Sequence, residues 1–162
     1  MTLREDILSQ LPSTIGKRHQ RITATDGSRT ARCEIDQCDQ LAVAVYELAL
    51  ESKELVAVEV AKLQTASESL CQRVTYLLEP ISPIETDADS CVVQMRSSPP
   101  QQQDDGRFYY ELNLRRGGAV CMYRYEKQPG AIRKRVAANL THEVVGRLVE
   151  DFEKTIDEVL SQ

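Results

Sequence analysis

The segment from Phe108 to Lys127 constrains this chain more than any other. FYYELNLRR and AVCMYRYEK flank Gly117-Gly118, and two alternating runs joined by a pair of glycines read as an antiparallel hairpin. A two-residue turn at those glycines predicts a register in which partner numbers sum to 235, because turn length and the hydrophobic pattern together set strand pairing. Leu114 then faces Cys121, Leu112 faces Tyr123 and Tyr110 faces Tyr125, with Phe108 continuing the same apolar row. On the other face Glu111 lies across from Arg124, an opposite-charge pair worth a few tenths to about 1 kcal/mol. Cys91 to Arg96 before the hairpin, and Ile132 to Ala138 after Pro129-Gly130, extend it to a three- or four-stranded antiparallel sheet.

Helical patterns bracket these strands. Thr2 and Glu5 form a capping-box pair, and Leu3, Ile7, Leu8 and Leu11 share one face before Pro12 stops the run. Val56, Val60, Leu63, Ser67, Leu70, Val74 and Leu77 follow at spacings of four and three, which predicts a central helix over 54–78, of about 25 residues. Thr141 is a candidate N-cap for a last helix over 141–160, whose stripe is Val145, Leu148, Val149, Phe152, Ile156 and Val159. Asp26-Gly27 marks a tight turn between strands at 19–25 and 29–36. LAVAVYELAL, 41–50, is an apolar run rich in valine and is read as a buried strand, although its Ala, Leu and Glu also suit a helix. EPISPIE, with Pro80 and Pro83, is read as an extended connector, and the polar residues 97–106 as a surface loop.

The expected fold is α+β in a single domain, 1–162: an antiparallel sheet, or two small ones, packed by the central and C-terminal helices. A chain of 162 residues, 41% hydrophobic and 28% charged, has the composition of an ordinary globular domain. No run approaches eighteen apolar residues and the opening MTLREDILSQ has no apolar stretch, so neither a membrane span nor a secretory leader is expected. Cys33, Cys38, Cys71, Cys91 and Cys121 are an odd number without a C-x-x-C pair, a usage that fits free thiols in a reducing cytoplasm.

Sites of catalysis find little support. Phosphate-loop, dinucleotide, nucleophile-elbow and zincin patterns are all missing. Glu85, Asp87 and Asp89 alternate like a calcium loop, but Ser90 and Arg96 stand where that loop needs Gly and Glu. Cys33 and Cys38 have only His19 and His142 to help them hold zinc, whereas a zinc site takes about four converging ligands. No catalytic, cofactor-binding or metal residue is therefore assigned. Residues 107–138 carry eight basic against two acidic side chains in a chain of net charge -5. Arg115, Arg116, Arg124, Arg133 and Arg135 of this block are the candidate binding residues. Arg115, Arg116, Arg133, Lys134 and Arg135, with Lys17, Arg18 and Arg21, would form the phosphate-contacting patch of a nucleic-acid-binding domain, an alternative that overall acidity disfavours. The predicted register also places Tyr110, Tyr123 and Tyr125 in the core, away from bases.

The order helix, strands, long helix, strands, helix, with the small size and acidic balance, is similar to that of type III secretion chaperones. The analogy is one of element order and transfers no residues. With the missing catalytic motifs, the free thiols and the long amphipathic helix, it leads us to expect a noncatalytic protein-binding adapter or chaperone-like module, cytoplasmic and homodimeric, with a protein partner and no cofactor. A small enzyme built from dispersed carboxylates, such as Glu85 or Glu111 near Arg124, is a second alternative.

Overall fold

The computed structural model describes residues 1–162. Helix α1 (Leu3–Gln10) begins with the capping box, in which Thr2 and Glu5 bond each other's backbone N–H, and Pro12 falls in the short 3-10 turn that follows. Strands β1 (Gln20–Asp26) and β2 (Arg29–Cys38) form the first hairpin around Gly27 and Ser28. Asp39 then turns the chain by accepting from the N–H groups of Leu41 and Ala42. The ambiguous apolar run is a strand, β3 (Ala42–Ser52).

The central helix is shorter than its periodicity predicts: α2 spans Val60–Arg73, not 54–78. At its front, β3 runs on to Ser52, whose hydroxyl accepts from the Glu54 N–H and starts a 3-10 turn over Lys53–Leu55. Val56 is consequently exposed. At its rear, Val74 leaves helical geometry at ψ 80°, and Leu78 adopts a left-handed φ of 65°. Val74 and Leu77 are still buried, but they reach the core from a turn. The helix and the turn behind it thus present one apolar stripe.

The proline-containing connector is an edge strand, β4 (Ile81–Asp87), paired only with β5 (Val92–Ser97). Its register shifts between Pro83 and Glu85, as expected where proline removes a donor at a sheet edge. The polar loop at 97–106 contains a short strand, β6 (Gln101–Gln103), bonded to the start of β7 (Gly106–Arg115).

The hairpin of β7 with β8 (Ala119–Lys127) departs from expectation by one residue. Arg115 pairs with Ala119, so the loop is Arg116-Gly117-Gly118 and partner numbers sum to 234. Both glycines sit at positive φ, 106° and 120°, and the Gly118 carbonyl accepts from the Ser52 N–H at 2.6 Å. A one-residue slip exchanges faces. Leu112 therefore lies opposite Met122, Leu114 opposite Val120 and Tyr110 opposite Arg124 on one face, while Tyr109–Tyr125, Glu111–Tyr123 and Asn113–Cys121 share the other. The predicted Glu111–Arg124 and Tyr110–Tyr125 pairs do not form, and Tyr123 and Tyr125 are not in the main core. This register puts all four aliphatic side chains under the helices, which the predicted one would have divided between faces.

All strands join one ten-stranded antiparallel sheet of order β1-β2-β3-β8-β7-β5-β4. β3 pairs with β8 only over Leu48–Glu51, and the two then splay. Into that fork fit β9 (Lys134–Val136), bonded to β8, and β10 (Ala138–Thr141), bonded to β3. Thr141 caps the last helix, α3 (His142–Ser161), by accepting from the Val144 N–H. A cluster of 36 buried apolar residues joins all three helices to one face of the sheet. Ala49, Cys121 and Tyr123 form a small separate cluster on the other face. No helix is long and apolar enough to cross a membrane.

Candidate functional site

Where β3 and β8 splay, the helices leave part of their face uncovered, and a groove of about 830 Å3 opens there. Its walls are the turn after α2, β6, the β9–β10 wedge and the first turn of α3, and nine of its sixteen lining residues are hydrophobic. At its base lies Arg124, one of the candidate binding residues, only 8% exposed. Its guanidinium donates to Glu79 Oε2 at 3.2 Å and Gln101 Oε1 at 3.0 Å, and stands 4.3 Å above the Tyr110 ring. The other Glu79 oxygen accepts from Ser97 Oγ at 2.8 Å, and Ser97 Oγ accepts from the Tyr110 N–H. Burial raises the Tyr110 phenol, against the opposing effect of Arg124. The base is thus a charge-balanced network walled by aromatics, of the kind that orients a ligand while apolar walls hold it.

The rim is less settled energetically than the base. Leu78 is 93% exposed at a positive φ of 65°, a backbone state that costs a non-glycine residue about 1 kcal/mol or more. Across from it Tyr76 is pinned, its hydroxyl donating to Asp151 Oδ2 at 2.6 Å. Burial and that carboxylate push its phenol upward. Glu79, the one carboxylate in the lining, is spent on Arg124.

The other candidate arginines are dispersed. Arg133 and Arg135 lie on the helix-free face, Arg133 3.9 Å over the Tyr125 ring and Arg135 4.0 Å over Tyr123. Arg115 shares that face, but it stands four residues along β7 from Glu111, about 13 Å at strand rise. Arg116 is in the hairpin loop beyond it. The five arginines of the sequence prediction do not form one patch.

On the helix-free face an aromatic and guanidinium layer takes the place of helices. Tyr109 stacks on Tyr125 with centroids 5.8 Å apart, and Arg96 lies 4.6 Å over Tyr109. Glu111, 2% exposed, accepts from Arg133 at 2.7 Å. Glu47 pairs with Arg32 at 2.7 Å and Arg135 at 3.7 Å. Burial alone would raise the Glu47 carboxyl, but hydrogen bonds from Arg32 and Tyr123 hold it below the usual carboxylate range. Sequence reasoning missed Tyr109, Arg96, Arg107 and Lys127. Their alternation along the strands carried the signal, and the register error hid it.

The thiols are quiet. All five are buried and free, and burial pushes Cys33 up to about 12 and Cys71 up to about 11. The fold does bring His142 to Cys38, from 104 residues away, with Nε2 and Sγ 3.6 Å apart, a base the local sequence did not show. That nitrogen also lies 2.9 Å from the Asp39 carbonyl, which can only accept, so Nε2 carries its proton and is not poised to take one from the thiol. Asp87 uses both oxygens on Asp89 and Ser90 to make the turn between β4 and β5. No protein-family model, curated protein or solved structure matches the chain. The likeness to secretion chaperones expected from element order finds no match among them.

Proposed function

We propose that the protein is a noncatalytic protein-binding module, of adapter or chaperone type, which receives a short segment of a partner chain in the groove above Arg124. The observation that carries this reading is Leu78, a large apolar side chain 93% exposed at the rim of a mostly apolar groove. An apolar side chain held out beside such a groove gains most when a partner covers it. Gln101 and Gln103 of β6 supply amide groups along the same wall, and β6 is bonded on one side only, so an extended segment can add to its free edge. Five unpaired thiols suit a reducing compartment such as the cytoplasm. Nucleic acid is less well supported, because the rings of Tyr109, Tyr123 and Tyr125 are already covered by guanidinium groups.

Affinity capture from the source cell, with nuclease present, tests the proposal. Leu78→Glu should weaken retention of a stoichiometric partner at least about tenfold. Leu41→Glu, at another exposed leucine outside the groove, should leave it unchanged. Equal retention by both variants would remove the groove from consideration.

A further inference from the structure

At the end of the helix-free face, where β7 begins and β8 ends, lies a second pocket of about 500 Å3. Arg96, Arg107, Lys127 and Arg133 line it together with Tyr109, and no carboxylate does. Arg107 and Lys127 are direct cross-strand partners, a like-charge placement that destabilises a sheet. Neither forms an ion pair. Only Arg96 and Arg133 touch a carboxylate, and it is the same one, Glu111. Lys127 is held at the wall by donating to the carbonyls of Gln128 and Ala131. Arg96 Nε is buried without a hydrogen-bond partner.

Several arginines elsewhere are held between carboxylates, although Arg115, Arg116 and Arg147 are not. Arg4 meets Glu143 and Glu150, Arg29 meets Glu54 and Asp157, and Arg32 meets Glu47 and Glu51. In a chain of net charge -5, four cations lining one pocket around a single shared carboxylate are a local excess of positive charge, and local departures of this kind collect at functional sites.

We propose that this pocket binds a phosphorylated small molecule, with its phosphate between Arg107, Lys127 and the two inner arginines and its organic part against Ile84 and Pro100. Guanidinium groups match phosphate oxygens with paired donors, and such charge-assisted bonds are the stronger kind. The volume suits a compact ligand. The ligand supplies the negative charge that the sheet lacks, so binding relieves the Arg107–Lys127 repulsion. The site faces away from the helix-side groove and stands independently of the protein-binding reading.

The test is titration calorimetry and thermal unfolding of the full chain with inorganic pyrophosphate, AMP and ADP, and with sulfate at matched ionic strength. At least one of the three phosphate compounds should bind saturably and raise the melting temperature, as any ligand of the native state does, and sulfate should do less. Arg107→Gln and Lys127→Gln should each weaken binding about tenfold or more. Without ligand, both variants should melt at or above the wild-type temperature, because each removes one of two repelling charges, so loss of binding is separable from loss of fold. Arg116→Gln, at the far tip of the hairpin, should bind as wild type does. The proposal is overturned if no phosphate compound binds saturably in low salt, if sulfate binds equally well, if the two variants bind like wild type, or if only a single-stranded oligonucleotide binds. A pyrophosphate that binds as tightly as ADP would assign recognition to the phosphates, whereas tighter ADP would assign part of it to the organic half.

Discussion

Single buried side chains set how this protein responds to pH. Cys33 is fully buried, and its thiol is pushed by burial from 9.0 up to about 12. A folded pKa raised above the unfolded value stabilises the native state fully below the unfolded pKa, and that contribution fades as pH climbs toward the folded one. Cys71, raised to about 11, acts in the same direction. Burial also raises Tyr110 and Tyr123 from 10.0. Stability should accordingly hold level up to about pH 9 with respect to these groups and then decline. Urea midpoints measured from pH 7 upward check this, and Cys33→Ala should decline less steeply between about pH 9 and 11. An unaltered slope in that variant would show that Cys33 is not a main contributor.

At the scale of the element, the β7–β8 loop is the decisive feature. Gly118 has a φ of 120°, and a Cβ there would stand 3.0 Å from the Ser52 carbonyl oxygen. Gly117, at 106°, has nothing within 4 Å of the same atom. Gly117→Ala should cost about 1 kcal/mol through backbone strain alone, and Gly118→Ala roughly 2–3 kcal/mol because it also presses on β3. Urea denaturation of the two variants measures the difference, and equal losses would mean that the Ser52 contact contributes nothing. α2 teaches a related lesson. The spacing marks Leu63, Ser67, Leu70, Val74 and Leu77 correctly as buried, but it fails at Val56, which is exposed, and at Val60, only half-buried, and it overstates the helix, since a turn can deliver Val74 and Leu77 to the same core. LAVAVYELAL shows the converse, because its valines read correctly as β3 although seven of its ten residues are the Ala, Leu and Glu that favour a helix.

For the whole molecule, one core joins both halves of the sheet through α3. Phe152 is fully buried at the centre of that helix's stripe. Phe152→Ala should lower stability by about 3–5 kcal/mol, a large share of the 5–15 kcal/mol ordinary for a domain. If the core is a single cooperative unit, far-ultraviolet circular dichroism and tyrosine fluorescence should report one coincident transition in the wild type and in the variant. Two separated transitions would instead divide the halves.

The α+β class, the capping box of α1, the DG turn, the β3 strand and the Thr141 cap of α3 were all legible from local pattern, because turn chemistry and alternation act over a few residues. The candidate sites were not. Arg124 was a candidate from composition, but its place in a groove depends on Glu79, Gln101 and the β9–β10 wedge. The cation pocket depends on a register that one additional loop residue changes. Only tertiary structure could decide these points: the bond from Ser52 to Gly118 crosses 66 positions of sequence, and the choice of which sheet face the helices cover is made by the assembled core. By itself the sequence determined which side chains avoid water; the fold determined which of them meet.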